Sequence, residues 1–312
     1  MSTLAVERPG LLTTVQDRGR WGTQHLGVPV SGWMDDWSAR LANRLCGNAD
    51  GDAVLEVTWL GPTLRADGAM SMAITGAVFD VTVGGFRMRT PLVCDVADGA
   101  LIEFGERQCG TRAYLAVSGG VAVAPVLGSR ATDIRSGLGG LQGRRLQNGD
   151  VLPIGASAYR IGGVRALVAS TWVGREPHLR VLRASAESPT ADEQFNQLCE
   201  AQFRLAAASD RTGYRLMADR PMPDAPATLI SQPVVTGAVQ LLPGGTPLLL
   251  MADRQTTGGY AVAAVVIAAD LPLAGQLGPG DGCRFTPCEW LDAVAASQGR
   301  EEELDQVAAR IG

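Results

Sequence analysis

The chain contains no lysine: all 27 basic residues in its length of 312 are arginine. A phosphate-gripping P-loop lysine, a Schiff-base lysine and a biotinylated lysine are therefore excluded on this polypeptide. If biotin or ATP takes part in its chemistry, another polypeptide carries the biotin and grips the phosphates. Histidine is nearly as scarce. His25 and His178 stand alone, outside any HxxxH or HExxH context, and the six cysteines (Cys46, Cys94, Cys109, Cys199, Cys283, Cys288) form no CxxC pair. No metal site is expected from such a donor set. Scattered cysteines of this kind read as reduced, mostly buried thiols of a cytoplasmic protein. The longest apolar run, Ala261–Ala269, is too short to span a bilayer and ends at Asp270. Met1–Gly10 has neither the cationic head nor the apolar stretch of a signal peptide. With a net charge of -5 and no basic run, a nucleic-acid-binding surface is not expected either.

What the chain has in abundance is glycine. Its 39 glycines, many in pairs, interrupt short runs rich in Val, Leu, Ile and Thr. Such runs occur at Ala69–Ile74, Val78–Val83, Ala113–Val117, Val121–Val126, Arg160–Ile161 through Ala166–Ser170, Leu179–Arg183 and Pro247–Met251. Short runs between Gly/Asp/Asn turns, as at Gly84-Gly85, Asp98-Gly99 and Asn148-Gly149, predict a mainly β protein with tight connections. Helical signals are few. Asp35–Leu45 places Trp37, Leu41 and Leu45 on one face, with Ser31 as the expected N-cap. Thr190 and Glu193 read as a capping box before a helix over Phe195–Leu205. Residues 289–311 predict one or two helices broken near Gly299, with Leu304, Val307 and Ile311 as a docking face. Two β-rich lobes are expected, 1–175 and 176–312, divided near Trp172–Pro177.

Three polar clusters stand out. Gln16-Asp17-Arg18-Gly19-Arg20, followed by Ser31-Gly32-Trp33-Met34-Asp35, sets charges of both signs among glycines that let backbone approach a ligand. An internal Asp–Arg salt bridge explains the same pattern. Gly128-Ser129-Arg130-Ala131-Thr132-Asp133, ahead of Gly137–Gly140, could bind an anion through backbone amides, or be an ordinary loop; Ser209-Asp210-Arg211-Thr212-Gly213-Tyr214 has the same character. The sharpest is Asp253-Arg254-Gln255-Thr256-Thr257-Gly258-Gly259-Tyr260, which emerges from the apolar strand Leu248–Met251. Its Gln and Thr side chains suit a neutral urea-like or lactam group, and Asp253 could act as acceptor or base.

Taken in order, these stretches resemble one family closely. Gly10-Leu11-Leu12-Thr13-Thr14-Val15-Gln16-Asp17-Arg18-Gly19-Arg20, Gly27-Val28-Pro29, Met34-Asp35, Leu55-Glu56-Val57-Thr58, Tyr114–Gly120, Leu127–Asp133, Ser209–Leu216 and Asp253–Tyr260 are similar to the C subunit of 5-oxoprolinase, also called allophanate hydrolase subunit 2 or biotin-dependent carboxyltransferase. The resemblance runs from about Leu4 to Phe285. It implies a cyclophilin-like β-barrel and a complex with the 5-oxoprolinase B subunit (allophanate hydrolase subunit 1) and a third, lactam-utilisation-type subunit. Such an assembly cleaves 5-oxoproline to glutamate with ATP. Relatives fused in urea amidolyase transfer a carboxyl group from biotin to urea, so biotin would act here only in trans. A Kip-type regulator of a sporulation kinase is a further relative, and a purely regulatory role is the third reading.

The resemblance implies a shared site lined or supported by Asp17, Arg18, Arg20, Asp35, Asp253, Gln255, Thr256 and Thr257, with Gly258, Gly259 and Tyr260 beside them. Asp253 and Gln255 would orient substrate, the two threonines would hydrogen-bond an amide or phosphate, and Arg18 or Arg130 would hold an anion. Two departures bear on this. Many relatives continue the last motif as Gly-Gly-Tyr-Pro-Lys, whereas this chain has Tyr260-Ala261-Val262, and Trp33 is bulkier than the residue usual there.

Overall fold

The computed structural model describes residues 2–166, 176–184, 191–223 and 229–309. The chain divides into two compact units. One comprises Met1–Trp21, Ser31–Gly174 and Glu303–Gly312; the other comprises Gly22–Val30 and Arg175–Glu302. This differs from a single cut at 175/176, because a short N-terminal segment and the end of the chain each belong with the opposite half of the sequence.

The first unit is organised by two strands longer than any run between glycines. Met70–Val83 is one strand of 14 residues and Leu101–Val117 one of 17. They pair antiparallel from Met72↔Val117 to Val83↔Ile102, with register shifts around Gly76 to Val81. Gly76 sits at φ 82, so the ladder absorbs the glycine as an irregularity rather than ending there. The runs Ala69–Ile74 and Val78–Val83 are thereby fused. Eight further strands complete a ten-stranded sheet, whose core includes Leu4, Leu55, Leu64, Phe79, Ile102, Phe104 and Leu115. Phe79 and Phe104 meet edge to face, centroids 5.4 Å apart, the arrangement that ring quadrupoles favour. Val121–Val126 is not a strand; it makes only the isolated bridges Val121↔Ile154 and Val126↔Ser129.

Helix α1 (Asp36–Leu45) packs Trp37, Leu41 and Leu45 into a second cluster with Val54, Ala73, Tyr114 and Leu304. Its N-cap is Asp35, not Ser31: the Asp35 carboxylate accepts from Ser38 N at 2.9 Å and from Ser38 Oγ at 2.7 Å. Ser31 lies in the left-handed region at φ 57. At the other end of α1, Arg40 and Arg44 both donate to Asp50.

The second unit is built on a closed barrel of seven strands, as expected for the fold class. In order around the barrel they are His178–Arg183, Ala261–Val266, Ala238–Leu241, Pro247–Leu250, Gly213–Ala218, Gln202–Leu205 and Gly282–Pro287, and the last pairs in parallel with the first. Val239, Leu249, Tyr214, Phe203 and Phe285 are buried, and Phe203 and Phe285 have ring centroids 5.3 Å apart. Helix α2 (Ala191–Glu200) stops before the expected end, since Gln202–Leu205 is recruited as a barrel strand. Thr190, Ile311 and the proposed division around Trp172 lie outside the described residues. A short helix, α3 (Leu271–Gly275), and a long one, α4 (Trp290–Ala309), follow. No described helix is long and apolar enough to cross a membrane.

Helix α4 runs unbroken through Gly299, where a break was expected. A Cβ at that position would meet nothing within 4 Å, and glycine in a helix interior costs roughly 0.5–1 kcal/mol relative to alanine. Gly299→Ala should therefore raise stability by about that amount in urea denaturation. The Arg44 and Arg40 hydrogen bonds outweigh burial and hold the Asp50 carboxyl below its ordinary pKa of 3.8. A carboxyl lowered on folding contributes stability above its unfolded pKa and loses it as pH falls through the folded value. Acid melts should show a loss below about pH 4 that is smaller in Asp50→Asn.

Candidate functional site

The polar clusters come together in pairs, one pair in each unit. In the first unit the carboxylate of Asp17, 5% exposed, accepts from Gly19 N at 2.9 Å, Ser129 Oγ at 2.6 Å and Arg130 N at 2.5 Å. The loop after the Leu12–Gln16 strand is thus tied to the loop 112 residues on. Arg20 reinforces the tie: its guanidinium, fully buried, donates to Val126 O at 3.0 Å and Ala131 O at 2.7 Å. Loop carbonyls outside the strand ladders thus gain a side-chain donor, Val126 O in addition to its bond from Ser129 N. Gly139 is needed here. At φ 68, a Cβ would lie 2.0 Å from Ala131 O and 2.5 Å from Arg20 Nη2.

Through these contacts the charged atoms of Asp17 and Arg20 hold the two loops together. Arg130 is divided: its amide serves Asp17, while its Nε donates to Val123 O at 2.7 Å. Arg18 alone of this group is exposed. Asp35 is fully occupied as the cap of α1, and its amide donates to the Tyr114 hydroxyl at 2.8 Å. Tyr114 donates in turn to Glu56 Oε2 at 2.9 Å, an oxygen that also accepts from Met34 N at 3.0 Å. Burial, with the nearby charges of Glu56 and Asp35, pushes the Tyr114 phenol well above its ordinary range. It stays protonated and serves as donor. Glu56 and Tyr114 lie in stretches that carry the family resemblance, but the sequence assigned neither a role.

In the second unit the Ser209–Tyr214 segment and the Asp253–Tyr260 loop are one structure. Asp253 N donates to Arg211 O at 2.9 Å and Met251 N to Thr212 O at 3.0 Å. The side chains lock the same junction: Arg211 Nε reaches Asp253 Oδ2 at 2.8 Å and Nη2 reaches Oδ1 at 3.0 Å. Both side chains are buried, 6% and 9% exposed. Both oxygens of the Asp253 carboxylate thus rest on the Arg211 guanidinium, a bidentate pair that ties the loop to the Ser209–Tyr214 segment. Beyond it the chain turns outward. Gln255 and Thr256 are half-buried, Thr257 and Tyr260 are exposed, and Thr257–Gly258 pairs with Gln232–Pro233 in a short ribbon.

Arg254, named within this motif but given no role from the sequence, is 4% exposed. Its Nε donates to Val234 O at 3.2 Å. Gln240, likewise unremarked in a run of barrel residues, is fully buried. The local pattern assigns neither residue a role, since their setting is made by segments distant in sequence. The described residues hold no group of three or more His, Cys, Asp or Glu able to bind a metal. All six cysteines are free, and burial pushes the Cys94 and Cys283 thiols up to about 12.

The protein is thus mainly β, with a closed seven-stranded barrel and loops braced by buried arginines. The carboxyltransferase domain family, subdomains A and B, matches residues 26–287, and the chain is a member of that family. The 5-oxoprolinase C subunit of Escherichia coli (strain K12) is 33% identical over 99% of this chain and 98% of that protein. Among solved structures, TTHA0988 is similar with a TM-score of 0.82 and 37% identity, over 92% of this chain and 56% of that one. The K. lactis urea amidolyase is similar with a TM-score of 0.85 and 28% identity, over 98% of this chain but 20% of that one. The chain thus spans about half of the first of these structures and about a fifth of the second.

Removing the cation of the second-unit junction should expose its worth. Arg211→Met leaves Asp253 buried without its partner and is expected to cost about 3–5 kcal/mol. Combining it with Asp253→Leu should recover part of that loss. A double-mutant cycle by urea denaturation measures the coupling, and additive effects would show that the pair contributes nothing as a pair.

Proposed function

We propose that this chain is the C subunit of a 5-oxoprolinase-type complex, acting with a B-subunit partner and a third, lactam-utilisation-type subunit to open 5-oxoproline to glutamate at the expense of ATP. The observation that carries the reading is likeness: the chain is 33% identical to the E. coli 5-oxoprolinase C subunit over 99% of its length, against 28% for the K. lactis urea amidolyase. In this reading the Gln255–Tyr260 loop orients the lactam. Gln255 and the Thr256 and Thr257 hydroxyls hydrogen-bond its amide, and the glycines admit it close to the backbone. Asp253 and Arg211 hold the loop in place, while Asp17, Arg20 and Asp35 brace the first unit. Arg18, exposed beside that framework, is the residue of the first cluster free to meet an anion.

The chain offers no lysine to grip a triphosphate, so ATP binding falls to the partner chains. Hydrolysis breaks the lactam C–N bond, water supplying the hydroxyl of the new carboxylate and a proton for the amine. Carboxyl transfer from biotin to urea is the second reading, favoured by the TM-score of 0.85 with urea amidolyase. It too requires another polypeptide, because no residue here can carry biotin.

Co-expression with the neighbouring subunits, followed by 5-oxoproline-dependent ATP hydrolysis and glutamate release, tests the proposal. Turnover is expected only with the full set, and Gln255→Leu should lower kcat/KM by about tenfold, the loss of one good hydrogen bond to substrate, with the complex intact by size-exclusion chromatography. No turnover, together with carboxylation of urea by carboxybiotin, would reject the first reading in favour of the second.

A further inference from the structure

We infer that Arg254 and Gln240 form a carboxylate-plus-amide subsite in the second unit, which selects a small lactam or amide that bears a carboxylate. The inference rests on the proposed function and deepens it, by naming the residues and the chemical class they recognise.

Two buried side chains there carry polar atoms without partners. Gln240 is fully buried, and neither its Oε1 nor its Nε2 has a hydrogen-bond partner among the described residues. It stands opposite Leu248 and Val262 in the barrel ladders. That face carries a small apolar cluster of Val234, Ala238 and Leu250. Arg254 is buried as well. Its Nε has Val234 O, but its Nη1 has no partner and no carboxylate pairs with it among the described residues. Burial, unopposed by any neighbouring charge, lowers its pKa from the ordinary arginine value. A buried polar group left unmatched costs free energy, and an unmatched charge costs more. Two in one small region mark the place where something is missing.

The two groups are neighbours through Val234, which Arg254 contacts at its carbonyl. An ideal Cβ on Gly258 would lie 3.3 Å from Val234 Cγ1 and 2.6 Å from Gln240 Nε2. Gly258 is thus glycine because the Gln240 amide occupies the space beside it. The chemistry of the missing partner follows. A guanidinium whose only partner among the described residues is a backbone carbonyl calls for an anion, and a carboxylate fits its fork. The Gln240 amide presents an acceptor next to a donor. A lactam presents N–H next to C=O, so Gln240 Oε1 accepts from the lactam N–H while Nε2 donates to the lactam oxygen. A neutral urea could satisfy Gln240 but not Arg254.

The cover over this region is slight. The ribbon of Thr257–Gly258 on Gln232–Pro233 is two residues long on each side, flanked by bonds from Val234 N to Thr256 O at 3.1 Å and from Leu229 N to Gly259 O at 2.7 Å. Few backbone bonds must open to admit a ligand.

The test uses the full-length chain, alone and assembled with its partner subunits. Ligands are 5-oxoproline and 2-pyrrolidinone, the same lactam without the carboxylate, and binding is followed by calorimetry and thermal shift. Wild type should bind 5-oxoproline about tenfold or more tighter than 2-pyrrolidinone. Arg254→Met should abolish that preference, and Arg254→Lys should keep part of it. Gln240→Leu should weaken both ligands by a similar factor. Since Arg254→Met removes an unpaired buried charge, it should melt no lower than wild type, which separates lost binding from lost fold. No carboxylate preference in wild type, a preference that survives Arg254→Met, or no binding to chain or complex overturns the subsite. If the complex turns over 5-oxoproline with an unchanged KM in Arg254→Met, the subsite fails and the proposed function stands. If the carboxylate preference holds but only urea is processed, the functional reading fails instead.

Discussion

The arrangement of the second unit depends on one ion pair. Arg211 and Asp253, 42 residues apart, meet in a bidentate bond with both side chains buried. Charges in that setting are costly unless each satisfies the other, so the pair fixes relative position far more sharply than apolar packing would. It sets the strand end from which Arg254, Gln255 and the glycines leave. The backbone bonds from Asp253 and Met251 to the Arg211 segment give the junction a second set of constraints. The polar loop can then face outward without losing its shape.

The first unit meets the same requirement with different parts. Its two glycine-rich loops lack a ladder to satisfy their amides and carbonyls, and the side chains of Asp17 and Arg20 do so instead. A carboxylate serves three donors, and a guanidinium serves two carbonyls of the facing loop. The density of charge and glycine that looked like a binding surface in sequence is here largely the means of joining loops. Charges suited to ligand recognition are equally suited to backbone satisfaction, and composition does not separate the two uses.

Membership in the carboxyltransferase family and the lack of lysine constrain the chemistry from opposite sides. The family supplies a fold shared by a lactam-opening subunit and a urea-processing domain. The missing lysine prevents this polypeptide from carrying biotin itself. Between the two substrates, the difference a protein can sense most strongly is the carboxylate, because a buried cation discriminates charge by far more than an amide discriminates shape. In the proposed subsite, Arg254 would be the cation that makes that choice.

Much of the architecture was legible along the chain. The α1 face of Trp37, Leu41 and Leu45, the barrel strands at Leu179–Arg183 and Pro247–Met251, and the mainly β class all follow from local periodicity and turn chemistry. Errors arose where tertiary pairing outweighed local preference. Gly76 was absorbed within a 14-residue strand, Gln202–Leu205 left its helix for a barrel ladder, and Gly299 stayed inside α4. The sequence by itself determined that no lysine chemistry, P-loop grip or attached biotin is available here, because those depend on residue type alone. Only the tertiary structure decided which charges are spent on the frame and which are left over. Asp17, Arg20 and Asp253 meet their partners across 42 to 113 residues of chain, while Arg254 and Gln240 are buried by segments that meet only in the fold. Whether a polar group is satisfied is a property of its surroundings in space, which no window of sequence contains.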